Sequence, residues 1–194
     1  MNIYDFDGTI YEGDSCVDII KYGLRCHFLI TIKSLFKAIK LNKDYKKGNI
    51  KFDVVKEALL SFIFKIKNRE AFIEKFVNTH IKNIKPYYKK IQTENDVIAT
   101  ASYELWISVF AERLGIKYVI ATKTDEDGHI IGGNCKREEK VKRIKEMFPN
   151  KTIENCYSDS SVDIPMLELG KKAYVVEGNE LVLYKKGYNF KFNK

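Results

Sequence analysis

The chain has 194 residues, a formal net charge of +8, and 45% apolar side chains with 13% aromatics; glycine and proline are scarce. This allows one medium domain, or a domain with a small insert, and excludes a disordered chain. The positive residues are spread from Lys21 to Lys194 rather than massed in a tail, so an anionic substrate explains the charge at least as well as nucleic acid does.

Residues 2–6 alternate polar and apolar side chains, which predicts a short strand. It runs into Asp5-Phe6-Asp7-Gly8-Thr9, where a spacing of two puts both carboxylates on one face and Gly8 permits a sharp turn. The bland reading is an edge strand followed by an acidic turn, but a D-x-D-G-T string directly after a strand is far less common, which puts the functional reading ahead. Residues 14–86 read as helical throughout. Phe28, Ile32, Leu35, Phe36 and Ile39 recur at helical spacing with lysines between them, 42–49 is a polar break, and further helices are predicted over 52–66 and 71–84.

From Pro86 onward, strands and helices alternate. A short helix is expected over 87–93, a buried strand over 96–99, a helix over 104–114 stopped by Gly115, and a strand over 117–121. A hairpin turning at Asp127-Gly128 should come next, within 122–133. A charged helix over 137–148, a strand over 152–157, a helix over 163–169 and a strand over 173–176 complete the pattern. Such alternation predicts an α/β fold with a doubly wound parallel sheet. Residues 1–13 and 85–194 would form its core, and 14–84 a helical cap inserted after the first strand.

In an open parallel sheet, ligands gather at the carboxyl ends of the strands. Behind the predicted strands come Asp5 and Asp7, then Thr100-Ala101-Ser102, then Lys140 in the next helix, then Asp159 and Asp163. Clustered carboxylates with backbone oxygens suit a hard divalent cation such as Mg2+. The hydroxyl, the amides and the lysine supply the positioning and charge neutralisation that phosphoryl transfer needs.

With these motifs in this order the chain resembles the haloacid dehalogenase superfamily. Asp5-Phe6-Asp7-Gly8-Thr9 matches the first motif, Thr100 the second, Lys140 the third, and Asp159 with Asp163 the fourth. The resemblance extends to subfamily IB, phosphoserine phosphatase-like, with a helical cap of the C1 type. It implies a Mg2+-dependent phosphatase in which Asp5 is the nucleophile that forms an aspartyl-phosphate. Asp7 is then the acid and base, and Asp5, Asp7 (through its backbone carbonyl) and Asp159 hold the metal. Gly8, Thr9, Thr100, Ala101 and Lys140 would bind the phosphoryl group, with Ser102 competing with Thr100 for the hydroxyl role. Asp163 would support either Lys140 or a metal-bound water.

Asp14 and Ser102 are the candidates for substrate specificity. Asp14 stands where phosphoserine phosphatases carry a Glu, and the fourth motif reads Tyr157-Ser158-Asp159-Ser160 where they usually carry Gly-Asp. The expected substrate is therefore a small phosphorylated metabolite, phosphoserine among the options. The alternatives are a lipid phosphatase of the phosphatidylglycerophosphatase C type and, in another class, a catalytically silent anion- or nucleic-acid-binding module. Dehalogenation is disfavoured because it needs neither the Asp7 acid nor a metal.

Cys16, Cys26, Cys135 and Cys156 show neither a C-x-x-C pair nor zinc spacing, and His27, His80 and His129 have no metal spacing. Reduced thiols and the lack of a leader-like start predict a cytoplasmic protein. No nucleic-acid partner is expected. The basic-apolar face of residues 28–41 has two readings, contact with an anionic membrane or the packed inner face of a helix bundle, and the second is preferred.

Overall fold

The computed structural model describes residues 1–190. Its strands are β1 (Asn2–Tyr4), β2 (Asp96–Tyr103), β3 (Tyr118–Thr124), β4 (Ile130–Ile131), β5 (Asn155–Ser158), β6 (Lys172–Glu177) and β7 (Glu180–Leu183). They form one seven-stranded sheet in the order β4-β3-β2-β1-β5-β6-β7. The five inner strands are parallel, while β4 and β7 pair antiparallel at the two edges. This is the doubly wound α/β architecture expected from the alternation, with β4 the second arm of the expected hairpin. β7 was not anticipated; it returns from β6 through a turn at Gly178, whose φ of 62° suits glycine.

β1 is central because both of its faces are buried. Ile3 packs with Val97, Ala99, Met166 and Leu167, and Tyr4 joins the aromatic cluster on the opposite face. Tyr4, Tyr157 and Tyr174 lie side by side on β1, β5 and β6, with stacked rings 4.2 and 5.1 Å apart. Cross-strand aromatic pairs of this kind hold register, so the end of β1, where Asp5 emerges, is fixed against its neighbours.

The helices are α1 (Ser15–Cys26), α2 (Phe28–Lys46), α3 (Phe52–Leu60), α4 (Arg69–His80), α5 (Pro86–Ile91), α6 (Glu104–Leu114), α7 (Glu138–Met147) and α8 (Ile164–Leu167). α1 to α4 lie between β1 and β2 in the chain. α1 begins at Asp14, whose side chain accepts from the Val17 amide, and α4 at Asn68, which accepts from Ala71. Phe62, Phe72 and Phe76 from this block share one core with Phe6, Tyr11 and Phe110 of the α/β part. Each such ring contributes about 1.5–3 kcal/mol by burial, so the insert is seated firmly on the sheet.

α2 departs from expectation in two ways. It continues through residues 42–46, where the sequence pattern predicts a break, and it buries Thr31, Ser34 and Ala38 while Phe28, Phe36 and Ile39 stand exposed. The preferred reading of the 28–41 stripe as a packed inner face is thus corrected. Small side chains let α2 approach its neighbours closely. A Cβ on Gly23 of α1 would come within 2.9 Å of Thr31 Oγ1, and Ala38 packs with Val55 and Ala58 of α3.

Candidate active site

The turn after β1 is wound tightly on itself. The Phe6 carbonyl accepts from the amides of Thr9, Ile10 and Tyr11, and the Gly8 amide donates to the Tyr11 carbonyl. The Lys85 ammonium donates to the Gly8 carbonyl and the Tyr87 hydroxyl to that of Thr9. Gly8 has a φ of 80°, and a Cβ there would meet the Asp159 carboxylate at 2.1 Å. The turn therefore needs glycine on both grounds.

Beside it is a cavity of about 220 Å³ lined by Asp5, Asp7, Asp14, Thr100, Ala101, Ser102, Lys140, Asp159 and Asp163. Nine of the eleven residues singled out from the sequence thus face one space. The other two, Gly8 and Thr9, are not among its lining residues. Their amides are consumed inside the turn, and Thr9 Oγ1 accepts from the Asp159 amide at 3.0 Å. They shape the loop and hold Asp159 against it.

At the centre is a buried cation between two carboxylates. Lys140 Nζ lies 3.0 Å from Asp5 Oδ1 and 2.6 Å from Asp163 Oδ1. The Ser158 hydroxyl donates to the other Asp163 oxygen at 2.8 Å. Of the two supporting positions expected for Asp163, the geometry is that of a partner to Lys140. Burial alone would lower the Lys140 pKa, but Asp163 and Asp5 more than offset it and hold the ammonium charged. Asp5 moves the opposite way to most ion-paired acids. Burial, with Asp163, Asp159 and Asp7 nearby, pushes it from the usual 3.8 to about 8 despite Lys140.

Lys140 is aimed from α7 by the loop before it. Arg143 on the same helix donates to the carbonyls of Ala121, Gly132 and Gly133 at 2.7, 3.0 and 2.7 Å. Arg137, just ahead of the helix, has a φ of 54°, a left-handed conformation that a residue with a Cβ rarely adopts.

Asp7 is held apart from that pair. Its carboxylate accepts from the Ser15 amide at 2.6 Å and from the Ser102 hydroxyl at 2.5 Å. Ser15 Oγ in turn accepts from the Trp106 indole at 3.1 Å. Burial, and then Asp14, raise the Asp7 pKa, while Ser102 and Ser15 lower it; the net shift is upward. Thr100 and Ser102 also separate. Ser102 is committed to Asp7, while Thr100 Oγ1 accepts from the Ser102 amide at 3.1 Å and keeps its proton to give. Both lie in the irregular part of β2, where the register to β3 shifts between Ala99 and Tyr103, and neither caps α6.

Five lining residues escaped the sequence reading: Cys16, Lys56, Lys136, Ser160 and Val162. Burial pushes the Cys16 thiol up to about 12, which favours the protonated form. Lys56 reaches in from α3 and donates to the Ala101 carbonyl at 2.6 Å and to Asn134 Oδ1 at 2.8 Å. The signal was present, since Lys56 lies one turn from Phe52 and Leu59 on the apolar side of its helix, an unusual place for a lysine.

A model of the haloacid dehalogenase-like hydrolases matches residues 3–168. Protein CicA of Caulobacter vibrioides (strain NA1000 / CB15N) is 30% identical over 185 residues, spanning 88% of this chain and 83% of that protein. A protein of unknown function from Bordetella pertussis Tohama I shares the fold with a TM-score of 0.73 at 20% identity, over 89% of this chain and 87% of its own. A phosphoserine phosphohydrolase-like protein from Francisella tularensis subsp. tularensis SCHU S4 does so with a TM-score of 0.56 at 18% identity, over 89% and 86%. The chain belongs to the haloacid dehalogenase-like hydrolase family.

Proposed function

We propose that the protein is a Mg2+-dependent phosphomonoesterase that works through an aspartyl-phosphate on Asp5. The observation that carries this reading is the buried Asp5–Lys140–Asp163 row, which opens onto the same cavity as Asp7 and Thr100.

A divalent cation fits the donor set. Asp5, Asp7, Asp159 and Asp163 face the cavity with Lys140 as the buried cation among them, and burial first, then the neighbouring carboxylates, raise the Asp5 pKa. Among the described residues no three His, Cys, Asp or Glu side chains form a metal-holding group. Mg2+ needs no such group, since it takes one or two carboxylates and completes its shell with phosphate oxygens and water. Asp5, Asp159 and the Asp7 carbonyl would hold it, since the Asp7 carboxylate is turned toward Ser15 and Ser102. When bound, the ion neutralises phosphate charge and favours ionised Asp5.

In the first step an Asp5 oxygen forms a bond to phosphorus, the ester bond to the leaving oxygen breaks, and Asp7 gives that oxygen its proton. In the second step Asp7 takes a proton from water, the water oxygen bonds to phosphorus, and the bond to Asp5 breaks. Lys140 and the Thr100 hydroxyl hold the phosphoryl oxygens throughout.

Residues 14–84 act as a cap that selects the substrate, and 1–13 with 85–194 carry the chemistry. Support comes from Asp14, Cys16 and Lys56 of that block, which line the cavity. The small space, lined mostly by charged and hydroxyl side chains, favours a compact phosphorylated metabolite, and Lys56 offers a second cation to an anionic group beyond the phosphate. Phosphate release from a panel of small phosphate esters, lost to a chelator and restored by Mg2+, tests the proposal. No Mg2+-dependent release from any ester would contradict it and leave a binding module.

A further inference from the structure

Half of the large apolar side chains that stand in solvent, among the described residues, fall between positions 28 and 54. On α2, Phe28, Leu29, Phe36 and Ile39 are 58, 71, 66 and 60% exposed. At about 100° per residue they occupy a single arc about 100° wide. The helix carries five lysines against one acid, Asp44. Lys43 falls within the arc, and Lys40, Lys33 and Lys37 lie in turn beyond one border of it. Tyr45 and Phe52 at the start of α3, with rings 5.5 Å apart, are exposed as well, but Tyr45 lies outside the arc.

We propose that this face of α2 rests on an anionic lipid bilayer. The helix, about 28 Å long, would lie in the plane of the membrane with Phe28, Leu29, Phe36 and Ile39 at the acyl-chain boundary. The lysines extend their stems along that surface and put their ammonium groups among lipid phosphates. The contact is peripheral, because no helix of the described residues is long and apolar enough to cross a membrane. Charge argues against a second copy as the occupant, since a two-fold contact would set this lysine-rich face against itself. α2 packs through Ala38 on α3, and α3 carries Lys56 into the cavity, so the lipid contact lies one helix away from the site.

Sedimentation of the full chain with vesicles tests this, comparing phosphatidylcholine alone with an equimolar mixture containing phosphatidylglycerol, across a salt series. Two double variants, Leu29→Ser with Phe36→Ser and Lys33→Glu with Lys40→Glu, are run beside the wild type, with thermal unfolding and sedimentation velocity as companions. The expected result is binding to the anionic vesicles that weakens with salt and drops at least about tenfold in each variant, with unchanged unfolding midpoints. Three results would overturn the proposal: no binding to anionic vesicles, wild-type binding retained by either variant, or a wild-type dimer that the Leu29/Phe36 variant dissociates.

Discussion

The Asp159 carboxylate occupies the space where a side chain on Gly8 would begin, 2.1 Å from the position of its Cβ. Thr9 reinforces the contact by accepting the Asp159 amide. The first and fourth motifs, 150 residues apart in the chain, are thus built against one another, and the carboxylate proposed for the metal is placed by a missing methyl group.

Gly8→Ala probes that contact. Positive φ costs a residue with a Cβ about 1–3 kcal/mol, and the clash displaces Asp159. The variant should unfold at lower temperature and need at least about tenfold more Mg2+ for half-maximal turnover. Titration of activity against Mg2+ checks it, and an unchanged Mg2+ requirement would separate Asp159 from the metal.

The carboxylates should also leave a mark on stability without metal. Asp5 is raised to about 8, so in the folded chain it keeps a proton that the unfolded chain has already lost. Its contribution is fully present below about pH 4 and is lost as pH rises through about 8; Asp7 acts in the same direction. In chelator, the unfolding midpoint should fall between pH 5 and pH 8 more steeply in wild type than in Asp5→Asn. Mg2+ should raise it more at pH 8 than at pH 5. A steeper fall in the variant would refute the origin assigned to the shift.

Lys56→Met tests the second cation. A role in binding an anionic group predicts a KM at least about tenfold higher for esters that carry one, with kcat on a neutral aryl phosphate changed less than about threefold. Equal losses on both substrate types would mean that Lys56 only braces Ala101 and Asn134.

Much of the fold could be read in the sequence because its signals are local. The alternation before Asp5, the helix closed by Gly115 and the turn at Gly128 each carry their cause within a few residues. The features that could not be read depend on partners far along the chain. Periodicity showed an apolar stripe on α2 but not which stripe packs. The buried one is Thr31, Ser34 and Ala38, chosen because Gly23 leaves room for close approach. The bond from the Asp159 amide to Thr9 Oγ1 depends on a partner 150 residues away. Thr100 and Ser102 became distinguishable only once Asp7 was seen to take the second.

The central claim is that Asp5 is the nucleophile, and the most direct test is hydrolysis of an aryl phosphate with Mg2+ by wild type and Asp5→Asn. Folding of the variant is checked by its circular dichroism spectrum. The account predicts Mg2+-dependent turnover in wild type and its loss in the variant, by about four orders of magnitude or more. A folded Asp5→Asn protein with undiminished turnover would contradict it.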